Sequence, residues 1–326
     1  LGGAVAVEQN SAVDLRHVRA TGNSATGGAA PNGEAGGAFG GALFAELGTL
    51  TVTDAVIDQN LARGGDGRNT TTSGSLAQGG GIHSVSATVT LDRVLVAGNE
   101  ARAGNGVVNG GGAGGGGVSL TFGSGAAVDT PFTITNTVIA NNLVSLGSGA
   151  FVGGGAGGLW VQAVMGTIEH ATIANNRLGD SRLLGSGVIV LNVPGWQAAA
   201  TLRDSILANH TTPAFHPTVY ANAALYVAQG ASADLTRVLF ANNLHDSNAG
   251  VSGGMNLPPG TVSSTGVLSA PDAGFVSAGS PNDDYHLLAG SPAVDQAIGS
   301  SVPVDLDGTP RTAGAAADLG AYEYAP

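Results

Sequence analysis

The chain contains no cysteine and no lysine. The first absence excludes disulfides, thiolate metal sites and a cysteine nucleophile. The second leaves arginine to supply all eleven Lys/Arg charges, against 23 acidic residues, for a formal net charge of −12. A surface built to hold nucleic-acid phosphates is excluded by that balance. Aromatics make up only 5% of the chain and charged residues 10%, the latter against a usual ~25%. No apolar run approaches the length of about eighteen residues that a membrane-spanning helix needs. No apolar stripe at helical spacing persists either, because glycine interrupts every candidate.

What the chain does have is glycine, 55 of 326 residues, and a 43% hydrophobic share drawn mainly from Ala, Val, Leu and Ile. That share is too high for a disordered chain. The glycines do not recur every third residue, which excludes collagen. Small side chains suit closely spaced backbone layers.

One pattern recurs seven times: an aliphatic residue, a mostly apolar stretch, then Asn eight positions on. The aliphatic position advances through Leu15, Val52, Leu91, Ile134, Ile168, Leu202 and Leu235, with periods of 33 to 43 residues. The Asn positions are Asn23, Asn60, Asn99, Asn142, Asn176 and Asn243; in the sixth copy His210 stands there and Asn209 comes one place early. Between these lies a glycine run leading into a short apolar strand, as in Gly79-Gly80-Gly81-Ile82 and Gly157-Gly158-Leu159-Trp160-Val161. Short strands at this period predict a solenoid. The favoured form is a single right-handed parallel β-helix of about seven to eight coils, with Gly/Asn-rich turns and like strands stacked ~4.8 Å apart.

Stacking predicts that equivalent positions are compatible neighbours. Ala20, Ile57, Val96, Ile139, Ile173, Leu207 and Phe240 read as a second interior ladder. Asp14, Thr51, Thr90, Thr133, Thr167, Thr201 and Asp234 read as an outward one. Two places after the aliphatic residue stand His17, Asp54, Arg93, Asn136, His170, Asp204 and Arg237. Here Asp54 is expected beside Arg93 and Asp204 beside Arg237, while Glu169 is expected beside Arg203. The ladder asparagines are expected to be structural, taking left-handed corners and bonding to the next rung.

From about Ser269 prolines and acidic residues cluster. The chain thus divides into repeats over 1–268 and a capping segment of the same domain over 269–326, since an open last coil exposes strand edges and core. The repeats resemble right-handed parallel β-helix proteins of the pectate-lyase-like superfamily, and their glycine-led and Asn-ending alternation is similar to that of polymorphic outer-membrane protein repeats. In the tail, Phe275, Asp284-Tyr285-His286-Leu287, Gly290-Ser291-Pro292-Ala293-Val294-Asp295, Asp305-Leu306-Asp307-Gly308, Pro310-Arg311 and Asp318-Leu319-Gly320-Ala321-Tyr322-Glu323 follow one another. That order resembles secreted bacterial choice-of-anchor Q proteins. The resemblance implies export and surface attachment, with a signal peptide and sorting segment processed away; the opening LGGAVAV matches the middle of a repeat. It implies no activity.

Several residues are candidates for chemistry. Asp305-x-Asp307-Gly308 resembles the start of a Ca²⁺ loop that Asp318 and Glu323 would join; the competing reading pairs Asp305 or Asp307 with Arg311. Trp160, Trp196, Tyr220 and Tyr226 are candidate glycan contacts. Zinc between His210 and His216 lacks an evident third ligand. Asn69-Thr70-Thr71 and Asn209-His210-Thr211 match the glycosylation sequon. Carboxylates spread over Asp54, Asp92 and Asp204 do not form the pair that glycoside chemistry needs. No catalytic residues are assigned and no cofactor is required.

The function expected is that of a non-catalytic, secreted or cell-surface structural protein, a rigid rod for adhesion or assembly. Leu1, Val5 and Val7 form a candidate assembly strand through which copies would join head-to-tail. The alternatives are a carbohydrate-active β-helix enzyme, a lyase or hydrolase, and a glycan-binding adhesin.

Overall fold

The computed structural model describes residues 1–30, 34–69, 72–123, 130–149, 153–179, 183–211, 223–248, 259–279 and 283–325. Among these, every regular element is a strand, and the strands form a parallel β-solenoid. A first sheet stacks seven glycine-led strands, from Val5–Glu8 through Leu43–Glu46, Ile82–Val85, Val118–Thr121, Leu159–Gln162 and Val188–Leu191 to Leu225–Val227. Seven rungs are separated by six turns, so the solenoid makes about six turns, slightly fewer than expected. The partial repeats at the two ends account for the difference.

The second sheet carries the aliphatic ladders. Thr49–Asp58, Thr88–Ala97, Ala199–Ala208 and Ser232–Ala241 each run ten residues, while other coils split the strand in two. The register matches the expected one. Leu15, Val52, Leu91, Ile134, Ile168, Leu202 and Leu235 are neighbours in that order. So are Ala20, Ile57, Val96, Ile139, Ile173, Leu207 and Phe240. Both columns line the main core.

Split or continuous, every coil bends at the same place. His17, Asp54, Arg93, Asn136, His170, Asp204 and Arg237 all adopt left-handed φ, between 47° and 53°. The column read as a run of charged strand positions is therefore a corner. Asn, Asp and His tolerate this geometry better than most residues. Its charges still pair across rungs, as expected. Arg93 Nε is 2.6 Å from Asp54 Oδ1, and Arg237 Nε is 2.6 Å from Asp204 Oδ1. Glu169 stands opposite Arg203.

A second corner corrects the role of the ladder asparagines. The left-handed residues are those one place earlier: Gly22, Gln59, Gly98, Asn141, Asn175, Asn209 and Asn242, with φ from 50° to 66°. The ladder asparagines themselves point inward. Asn60, Asn99, Asn142 and Asn176 are fully buried.

Each early coil holds more strand than the sequence pattern suggests. A third sheet joins Ser24–Thr26, Leu61–Arg63, Glu100–Arg102, Leu143–Ser145 and Arg177–Leu178. A fourth joins Ala38–Phe39, Ala77–Gln78, Ala113–Gly114 and Gly154–Gly155. Between them Ala38, Ala62, Ala77, Ala101, Ala113 and Val144 form a thin core. Alanine at these positions allows the two layers to approach closely.

After the last rung, Leu268–Ala270, the chain forms an antiparallel pair, Phe275–Ser277 with Asp284–Leu287. Phe275, Tyr285, Leu287, Ala293, Leu319 and Ala321 then pack on the outer face of the second sheet, against Val138, Ala140, Ala174, Ile206, Ala208, Leu239 and Ala241. On the first two coils the matching outward positions are Arg19, Thr21, Val56 and Asp58, three of them polar. The outer face thus turns apolar along the part of the stack that the tail covers.

Candidate functional site

The most regular polar array is the asparagine ladder. Asn60 Nδ2 donates to Asn99 Oδ1 at 2.9 Å, Asn99 Nδ2 to Asn142 Oδ1 at 3.0 Å, and Asn142 Nδ2 to Asn176 Oδ1 at 3.0 Å. Each also donates to a carbonyl of the preceding coil, namely Ala20, Ile57 and Val96. Asn23 starts the ladder by donating to Asn60 Oδ1 at 2.9 Å. The amides are therefore spent on one another. Opposite them stand glycines: a Cβ on Gly117 would come within 2.8 Å of Asn142 Nδ2, and one on Gly158 within 2.9 Å of Asn176 Nδ2. Glycine run and asparagine are two halves of one contact.

His210 interrupts this array. Its backbone N and its Nδ1 both approach Asn243 Oδ1, at 3.0 and 3.1 Å. Its Nε2 is buried without a partner among the described residues. Burial pushes the ring down to about 4, so it is neutral at pH 7.

A second buried histidine lies on the outer face of the first sheet. His83 stacks on Phe44, with ring centroids 5.9 Å apart, and lies 5.3 Å from Phe39. Ser119 is its neighbour on the next rung. Among the described residues neither ring nitrogen nor the Ser119 hydroxyl makes a well-formed hydrogen bond, and the Ser119 backbone is the only polar group acting on the ring. Burial pushes His83 down to about 3. Among the described residues no carboxylate acts on this ring to orient it as a general base.

Among the described residues one group has the makings of a metal site: Glu169, His170 and Asp204, whose ligand atoms lie within 4.8 Å of one another. Guanidinium groups already serve it. Both Asp204 oxygens bond to Arg237, at 2.6 and 2.9 Å. His170 Nε2 meets Ser300 Oγ at 2.6 Å, and burial together with the nearby Arg311 charge pushes the ring down to about 3. The cluster works as a joint between coil and tail.

The carboxylates expected to hold Ca²⁺ are occupied by N–H groups. Asp305 Oδ1 accepts from the backbone of Asp307 and Thr309, at 2.9 and 2.7 Å, and its Oδ2 from Glu323 N at 2.9 Å. Asp318 accepts from Asp295 N and Tyr324 N, each at 2.6 Å. Asp307 turns outward to His286 Nε2 at 2.9 Å. Arg311 does not choose Asp305 or Asp307. Buried, it donates to Asn136 Oδ1 at 2.8 Å and Gly320 O at 2.9 Å, and lies 3.5 Å from Glu323. Burial pushes Arg311 down, and pushes Glu323 up.

The two tryptophans are placed differently. Trp160 points outward from its strand but is 9% exposed, packed with Ile189 and Tyr226, and its indole donates to Gln162 at 3.2 Å. Trp196 is 45% exposed and stacks on Phe122 at 4.1 Å. Tyr220, His216 and Thr70-Thr71 of the first sequon lie outside the described residues. Leu1 is exposed and Val7 buried; Val5 sits between them in burial on the first rung, which pairs with Leu43–Glu46. No protein-family profile and no curated protein sequence matches the chain.

Proposed function

We propose that the chain is a non-catalytic structural rod, acting outside the cell in adhesion or assembly. The observation that carries this reading is the use of its polar groups. The ladder amides bond to one another, and Asp54, Asp92, Asp204 and Glu100 are held by Arg93, Arg237 and Arg102. The strongly perturbed histidines are buried under other side chains, where a catalytic group would instead face a cleft. Six turns at ~4.8 Å give a stack roughly 30 Å long. The likeness of the tail to choice-of-anchor Q proteins supports the extracellular setting.

The first coil suits assembly. Val13 and Leu15 are only half-buried where Leu50, Val52, Val89 and Leu91 on the next rungs are wholly buried. Whatever stacks there, preceding sequence or a second copy, completes a core. The test is a concentration series by sedimentation and negative-stain electron microscopy. Self-association that Leu15→Asp abolishes is the expected result. Dispersed short rods at every concentration, together with turnover of a polysaccharide, would overturn the reading.

A further inference from the structure

Between residues 269 and 326 the chain has eight Asp or Glu and a single Lys or Arg, Arg311. Arg311 is buried and spent on Asn136, Gly320 and Glu323. His286 is the only other side chain of that stretch which can carry positive charge. Its ring lies between two carboxylates. Nδ1 is 2.6 Å from Asp284 Oδ1, and Nε2 is 2.9 Å from Asp307 Oδ2. Asp284 belongs to the strand Asp284–Leu287. Asp307 belongs to a turn over 305–309, which Asp305 N closes by donating to Thr309 O at 2.9 Å. Tyr322 stacks on the ring, with centroids 3.9 Å apart. Among the described residues no other charged or titratable side chain acts on it. One imidazole thus joins three separate pieces of the tail.

A neutral imidazole has one N–H and one lone pair. It donates to one carboxylate and turns the lone pair on the other, which repels it. An imidazolium donates to both, and the face of Tyr322 favours its charge. We propose that His286 is a proton-operated latch: protonated, it holds the 305–309 turn against the Asp284–Leu287 strand, and neutral, it frees the turn to open. Burial works against the charged ring, but the bonds to Asp284 and Asp307 outweigh it and raise His286 above its ordinary 6.5. Burial likewise opposes the Asp284 charge, yet the backbone N–H and ring of His286 hold that carboxyl below its ordinary range. The His286 side chain is 43% exposed, so protons reach it from solvent. A contribution from a raised histidine is fully present below 6.5 and is lost as pH rises through the folded midpoint. The latch is therefore closed on the acid side of 6.5 and opens on the alkaline side. Both carboxylates are partly exposed and screened, so the event is a local opening of the tail and leaves the coils intact. The inference holds whether or not the coils assemble.

The test is nuclear magnetic resonance of the full chain with labelled histidine rings, joined to hydrogen exchange at two turn amides. Those amides are Asp307 N and Thr309 N, which both donate to Asp305 Oδ1. His286 should titrate with a midpoint above 6.5. Asp307→Asn should lower that midpoint by about half a pH unit, a roughly threefold loss of proton affinity. From about pH 6 to about pH 9 the two turn amides should lose protection relative to amides of the coils. In His286→Gln, which cannot be charged, that extra loss should vanish. Thermal melts establish that each variant is folded. Should His286→Gln fail to fold, Asp307→Asn, at an exposed site, carries the exchange comparison as well. A midpoint at or below 6.5, a midpoint unmoved in a folded Asp307→Asn, or turn amides whose pH response matches that of the coils would overturn the proposal.

Discussion

Asn99 places both its backbone N and its side-chain Nδ2 on one atom, Oδ1 of Asn142, at 2.9 and 3.0 Å. Asn142→Ala removes the acceptor for both. Two buried donors left unpaired cost roughly 2–4 kcal/mol together. Thermal unfolding followed by circular dichroism reads that loss.

The same ladder predicts a gain. His210 donates to Asn243 as an asparagine would, yet its Nε2 gives nothing to the coil below. His210→Asn supplies the missing Oδ1 to Asn176 and should stabilise the fold by about 1 kcal/mol. An unchanged or lower melting temperature contradicts this account.

Two glycines of the same coil pair should respond differently to alanine. Gly117→Ala drives a Cβ to within 2.8 Å of Asn142 Nδ2 and disrupts the ladder. Gly98 has φ of 64°, and a Cβ there meets only Gln59 at 3.8 Å, an ordinary contact, so Gly98→Ala carries only left-handed strain, about 1–2 kcal/mol. Gly117→Ala should therefore unfold at distinctly lower denaturant, and Gly98→Asn should be close to neutral.

Acid should unfold the chain through its buried histidines. His83 is pushed down to about 3 in the fold from an ordinary 6.5, so below pH 6.5 the unfolded chain binds a proton that the fold refuses. Stability is fully present above 6.5 and falls with pH, by up to about 1.4 kcal/mol per pH unit for this group. His83→Leu should flatten the acid limb of a stability–pH curve by close to one proton. It should leave neutral stability equal or higher, since it replaces poorly satisfied buried nitrogens by an apolar side chain.

Arg311 ties the tail to the coils. Arg311→Met leaves Glu323 buried without its cation and frees Asn136 Oδ1. A cost of roughly 3–5 kcal/mol is expected. Limited proteolysis should then cut beyond residue 270 first. Adding Glu323→Gln should recover part of the stability.

The solenoid was legible because each interior column repeats one class of residue: seven aliphatic residues from Leu15 to Leu235, and asparagine in six of seven ladder positions. The corner at His17, Asp54 and Arg93 was not, because the residues that tolerate left-handed backbone are also those that form charge ladders. Strands such as Ala77–Gln78 are too short to show a period. The course of the tail had a signal that reasoning about the interior passed over. Outward positions become Val138, Ala140, Ile206 and Ala208, apolar where a free face would be polar. Trp196 acquires a neighbour only in the folded chain, where Phe122 stacks beside it. Arg311 went to Glu323 because the Asp305 oxygens were already filled by backbone donors.

The tail also gives the rod two mechanical regimes. Coils bearing Arg19, Thr21 and Asp58 on their outer face are joined to their neighbours by rung bonds, the asparagine ladder and ion pairs such as Arg19–Asp58, with no tail segment packed across them among the described residues. Those bearing Val138, Ala174, Ile206 and Leu239 are bridged by one continuous segment anchored through Tyr285, Arg311 and Ser300. Under tension along the axis, the first group is expected to peel away before the second. The second yields only after the bridging segment has been stripped, and then as a block. The molecule is thus a compliant end fused to a stiff one, and a pull from the first coil is absorbed before it reaches the rest.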